Sequence, residues 1–238
     1  MSAAPGPPIL EISHVVKRHA GLRPLRVLSL LMRAGERVAL SGLDAGAAEL
    51  LVNLITGSSL PEEGTIRAFG RGTADIANGD EWLASLDRFG IVSDRGVLLE
   101  GSTLAGNLAM PFTLAIDPMS QETLARVSAL AAECGIEARW LDRPVAEAPA
   151  AVRARAHLAR AVALGPSLLL VEHPTAMVPR EDIQALAEDT RRLLAGRNLT
   201  ALVITADASF ANFVGDRVLR LEPATGKLVP AKKRGRWW

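Results

Sequence analysis

Tyrosine is absent from this 238-residue chain, aromatic side chains of every kind make up 4% of it, and there is a single cysteine, Cys134. One thiol excludes any internal disulfide, so a reducing, cytoplasmic compartment is expected. Long apolar runs are missing as well. The longest, residues 28–32 and 168–171, are strand-sized and far short of the roughly 18 residues of a membrane-spanning helix. The opening MSAAPGPP lacks the basic and apolar regions of a secretory signal. An excess of one charge sign is also lacking. Net charge is +1, and removing the four cations of the tail (Lys232, Lys233, Arg234 and Arg236, ahead of Trp237 and Trp238) leaves the body at −3. That excludes a basic nucleic-acid footprint. The tail alone suits an anionic membrane surface, at about 1 kcal/mol per cation with Trp at headgroup level, and a solvated terminus is the plainer reading.

What is present describes a folded chain. Hydrophobic residues at 49% and charged residues at 22% match a globular composition, and the length fits one domain carrying an inserted lobe. Strand patterns occupy residues 9–16, 26–32, 36–41, 65–69 and 88–93, with an apolar helix over 49–56 closed by Gly57. Helical spacing follows over 103–110, 121–134 (Ser120 as cap) and 150–164 (Pro149 in the first turn). From residue 167 strands and helices alternate: 168–171, 180–194, 201–205, 210–214 and 217–221, the signature of parallel strands joined by crossovers. The expected organisation is a flexible segment 1–8, a domain over 9–228 with a helical subdomain at about 97–164, and a basic tail, 229–238.

Five segments, VALSGLDAGAAELLVNLITG (38–57), PEEGTIRAFG (61–70), FGIVSD (89–94), LARAVALGPSLLLVEHPTA (158–176) and LTALVITAD followed by DRVLRLE, agree in order and spacing with one family. Over residues 9–228 the chain resembles the ATP-binding subunit of ABC transporters. The resemblance implies an α/β fold: a P-loop NTPase-like core sheet, an antiparallel β layer and an inserted α-helical subdomain.

The framework is kept, but the chemistry is not. A phosphate loop G-x-x-x-x-G-K-[ST] needs glycines so that backbone N–H groups close on phosphate, a Lys for its charge and a hydroxyl for Mg2+. Here the stretch runs Gly42, Leu43, Asp44, Ala45, Gly46, Ala47, Ala48, Glu49, so Ala48 stands for the Lys and Glu49 for the hydroxyl residue. Glu49 adds a carboxylate where the helix dipole would hold phosphate, or is simply an acid that stabilises a solvated helix. By resemblance Asp94 sits at the Gln position, Glu172 at the Mg2+-binding Asp, His173 at the general-base Glu and Ala206 at the switch His. The L-S-G-G-Q cap reads Ala148, Pro149, Ala150, Ala151, Val152, the L-D pair reads Val178, Pro179, and His19 takes the place of the adenine-stacking aromatic. Glu172 and His173 read either as a polar pair at a strand end or as a slow catalytic pair, since His serves as a base near neutral pH.

These changes imply a pseudo-ATPase subunit, with no cofactor assigned. Because the family's sites are shared across a dimer, one such chain impairs two sites, whether it pairs with itself or with a second ABC ATPase subunit. A weakly active enzyme using ATP and Mg2+ is the second reading, with Arg18 and Arg95 the nearby cations in place of the Lys. A scaffold without a permease is the third. The acids Asp44, Glu49, Asp94 and Glu172, with His173, also suit a cation or a partner's Lys or Arg, although no metal is assigned. Leu98, Leu99, Leu104, Met110 and Phe112 keep the family's pattern for docking a membrane permease, as a groove or as plain core residues. The expected location is the cytoplasmic side of the membrane, peripherally attached.

Overall fold

A computed structural model describes residues 7–19 and 23–231. Most of the expected flexible start and the basic, Trp-ended part of the tail lie outside the described residues.

Two sheets build the molecule. β1 (Pro8–Lys17), β2 (Leu25–Arg33), β4 (Glu63–Ala68) and β5 (Arg71–Gly72) form an antiparallel layer in the order β2-β1-β4-β5. The core sheet runs β10-β9-β3-β8-β7-β6, from β3 (Arg37–Ser41), β6 (Phe89–Val92), β7 (Leu168–Glu172), β8 (Thr200–Ile204), β9 (Arg217–Glu222) and β10 (Lys227–Pro230). All its pairings are parallel except β9 with β10. The Leu28 N–H donates to the Gly226 carbonyl at 2.7 Å, which ties the two layers together. β10 has no counterpart in the expected organisation and claims Val229 and Pro230, expected in the tail, for the sheet.

β7 and β8 are buried along their full length, which is why their sequences are continuously apolar rather than alternating. Their two faces feed two cores. Leu168, Leu170, Leu202 and Ile204 join Leu10, Ile12, Val27, Met32, Leu40 and Ile66 around α1 (Ala45–Ile55). Leu169, Val171, Ala201 and Val203 join the helical lobe on the other side. That lobe consists of α3 (Leu104–Ala109), α4 (Gln121–Glu133) and α5 (Ala150–Val162), all inserted between β6 and β7. α6 (Arg180–Gly196) and α7 (Ala208–Val214) cover the same face.

Ser120 caps α4 as its position suggests, its Oγ accepting the Thr123 N–H. Pro149 is the N-cap residue of α5 rather than its first helical residue. The sequence reading lacks α2 (Gly79–Leu86) altogether. None of its residues is buried, so it shows no apolar periodicity to read. It is made instead by Asn78, whose Oδ1 accepts the Glu81 N–H, by the acids Asp80 and Glu81 in its first turn, and by Trp82, whose Nε1 donates to the Thr56 carbonyl.

Candidate functional site

The stretch Gly42 to Glu49, expected to be a vestigial phosphate loop, joins β3 to α1. Gly42 has φ +91°, and a Cβ there would lie 2.6 Å from the Leu221 carbonyl oxygen, so the turn admits only glycine. The helix does not begin near Glu49, as its apolar run suggested. It begins at Ala45, and its first turn is too small-sided to register as periodic. Asp44 is its cap, with Oδ1 accepting the Ala47 N–H at 2.8 Å. The carboxylate at this helix terminus is therefore that of Asp44, and Glu49 lies beyond the first turn. Ala48, in the Lys position, is fully buried in the core beneath.

Glu49 reaches sideways instead. Its carboxylate pairs with Arg95 at 2.6 Å, and the other arm of the same guanidinium hydrogen-bonds Glu172 at the tip of β7. The Glu172 side chain is 6% exposed. Burial pushes its carboxyl above the ordinary range, Arg95 pulls it back, and the nearby charges of Glu49 and Asp94 push it up again. The cation that the acidic residues call for is thus supplied by the chain itself. Among the described residues no group of three or more His, Cys, Asp or Glu is placed to hold a metal. Arg18, the other cation considered for phosphate, is exposed and pairs with Glu62.

His173 occupies an unusual backbone position, φ +41°, with its N–H donating to the Ile204 carbonyl at 2.8 Å. Its Nε2 is buried with no hydrogen-bond partner among the described residues. Along Ala148 to Val152 no hydroxyl is present: Pro149 caps α5 without a side-chain hydrogen bond, and Ala150 and Ala151 form its first turn. Val178 precedes Pro179, the N-cap residue of α6, and exposed Ala206 follows β8 ahead of Asp207, which caps α7.

The five-residue docking groove is not formed as expected. Leu98 and Leu104 are buried in the helical-lobe core, and Phe112 packs against it beneath the Arg126 guanidinium, 4.0 Å from the ring centroid. Met110 is half-buried, and only Leu99 is exposed, next to Val97 at 70% exposure. Core packing claimed the others because Leu104 starts a helix whose residues are all buried. A residue the sequence reading passed over, buried Asn107, presents this segment: its Oδ1 accepts the Leu99 N–H at 2.7 Å and its Nδ2 donates to the Leu99 carbonyl at 3.0 Å.

A cavity of about 210 Å3 lies beside the ion triad, bounded by α5, the tips of β6 and β7, α6 and α7. No residue of the phosphate loop lines it. Arg153, His157, Asp94, Glu172 and His173 supply its polar atoms. Burial lowers the His157 imidazole below its ordinary range, Arg160 and Arg153 lower it further, and Asp94 opposes them. Neither the clamp role of Arg95 nor this cavity has a local signal in the sequence, since the residues involved come from three or more separate parts of the chain.

A family model described as ABC transporter matches residues 25–176, which hold the glycine turn between β3 and α1 and the helical lobe inserted before β7. This chain belongs to the ABC transporter family. Among its ABC relatives, the lipoprotein-releasing system ATP-binding protein LolD of Chromohalobacter salexigens is 32% identical over 83% of this chain and 82% of its own length. LolD of Pseudomonas syringae pv. tomato is 29% identical over 86% and 88%. The macrolide export ATP-binding/permease protein MacB of Haemophilus ducreyi is 29% identical over 93% of this chain, which spans only 32% of MacB. Among solved structures, the dimeric ATP-binding cassette MJ0796 in a post-hydrolysis state bound to ADP and Pi has a TM-score of 0.74 at 21% identity, covering 93% of this chain and 98% of that one. CbiO1 of Clostridium perfringens, part of the cbiONQ transporter complex, has a TM-score of 0.76 at 18% identity over 94% and 88%. These ABC cassettes share the P-loop NTPase fold described above.

Proposed function

We propose that this chain is an ABC transporter subunit of the ATP-binding type that neither holds nor hydrolyses ATP and that supports a membrane permease structurally or as a regulator. The observation that carries the reading is Arg95 spanning Glu49 and Glu172. A nucleotide's γ-phosphate and Mg2+ need an uncompensated cationic and hydroxyl-bearing cradle. Here the one cation at the site, Arg95, is already engaged by two carboxylates, and Asp44 holds an N–H of the helix terminus. The curated relatives named ATP-binding proteins of export and release systems support the transporter assignment, and MacB carries a permease in its own name. Exposed Val97 and Leu99 lie in the stretch that the family resemblance gives to the permease, so docking there, at the inner face of the membrane and with the chain paired to itself or to a second ATP-binding subunit, completes the reading.

Calorimetry of ATP·Mg2+ against the purified chain tests it. No binding heat is expected from the wild type, with recovery in the combined variant Asp44→Gly, Ala48→Lys, Glu49→Ser once its thermal transition shows that it is folded. Micromolar binding by the wild type overturns the reading.

A further inference from the structure

Three charged side chains line the cavity beside β7: Glu172, already held by Arg95, and two of opposite sign, Arg153 and Asp94. Arg153 on α5 and Asp94 at the end of β6 both act electrostatically on His157, which places them around the same imidazole. They do not pair with each other: Asp94 is exposed to solvent, and Arg153, partly covered, has no hydrogen-bond or ion-pair partner among the described residues. This is uncommon for an arginine half-covered by protein, since its guanidinium offers five donors. Deeper in, the wall is apolar: Leu158, Val171, Leu186 and Phe210 are all at most 4% exposed. His173, held at φ +41°, also lines the cavity, but its Nε2 is fully covered by protein. The volume, about 210 Å3, is enough for roughly ten heavy atoms at protein packing density.

We propose that this cavity binds a small zwitterion with an apolar body, of the apolar α-amino acid class. Its carboxylate meets Arg153, its ammonium meets Asp94, and its side chain lies against Leu158, Leu186 and Phe210. A simple carboxylic acid leaves Asp94 facing the ligand's anion unrelieved, and a simple amine does the same to Arg153. Only a molecule bearing both charges pairs the two. His157 contributes a hydrogen bond at the ligand's polar end. The bound molecule touches α5 of the helical lobe and the tips of two core strands at once, so occupancy couples the lobe to the sheet. None of this depends on whether ATP binds, because the phosphate loop takes no part in the cavity.

The test is calorimetric titration of the full chain with L-valine, L-leucine, L-methionine and L-phenylalanine. 3-Phenylpropanoic acid and 2-phenylethylamine serve as the singly charged counterparts of phenylalanine. Saturable binding of at least one amino acid is expected, weakened about tenfold or more by Arg153→Gln and by Asp94→Asn, and abolished by Ala154→Trp, which fills the cavity. Each variant's thermal transition confirms folding. Absence of binding by all four amino acids at millimolar concentration overturns the proposal. So does equal binding of the acid or the amine, or binding insensitive to Arg153→Gln and Asp94→Asn. ATP titration of the same samples is an independent readout, so failure here and failure of the pseudo-ATPase reading are told apart.

Discussion

At the residue scale, Arg95 is the side chain with most at stake. Removing it leaves Glu172 buried beside Glu49 and Asp94 with no counter-charge. Arg95→Ala is expected to cost about 1–2 kcal/mol in urea unfolding at pH 7, discounted because the guanidinium is 39% exposed. The deficit should shrink toward pH 4, where protonation of Glu172 removes the unpaired charge. His157 gives a second pH dependence of definite sign. Its imidazole is lowered in the folded chain, so below the ordinary histidine value of about 6.5 the unfolded chain binds the proton that the folded one refuses. Stability therefore falls as pH drops through that window. His157→Gln, compared with the wild type by denaturant midpoints from pH 7.5 to 5, should decline less.

At the element scale, α5 and α6 are joined by Arg155, whose Nε donates to Asp189 at 2.8 Å while Nη1 holds the Ala151 carbonyl at 3.1 Å. Both side chains are at most 15% exposed. Arg155→Ala should cost about 3 kcal/mol, since Asp189 keeps only its exposed neighbour Arg192. A cap is worth less. Asp44→Ala frees the Ala47 N–H and should cost about 1 kcal/mol by the same measurement. Most strands and helices were legible as elements because their apolar periods face one core or two. α2 and β10 were not: the first buries nothing, and the second is four residues long with its neighbours chosen by β9. The start of α1 was set by Asp44 and a turn of small residues, which a search for apolar spacing passes over.

At the scale of the whole molecule, a ligand that binds only the folded state raises the melting temperature with its concentration, and one that does not bind leaves it unmoved. ATP·Mg2+ is expected to leave it within error, and an apolar amino acid to raise it. The sequence by itself determined the family framework, and the proposed loss of the nucleotide groups is also read there, since Ala48, Ala148 and Ala206 lack functional atoms in any conformation. Tertiary structure alone decided what replaced them. Arg95 became a bridge because the β6 and β7 tips and the middle of α1 meet at one point. Leu98 and Leu104 became core because the lobe had an interior to fill, and Arg153 and Asp94 came to line one cavity. Charge pairing and burial depend on distances between residues far apart in the chain, and those distances exist only after folding.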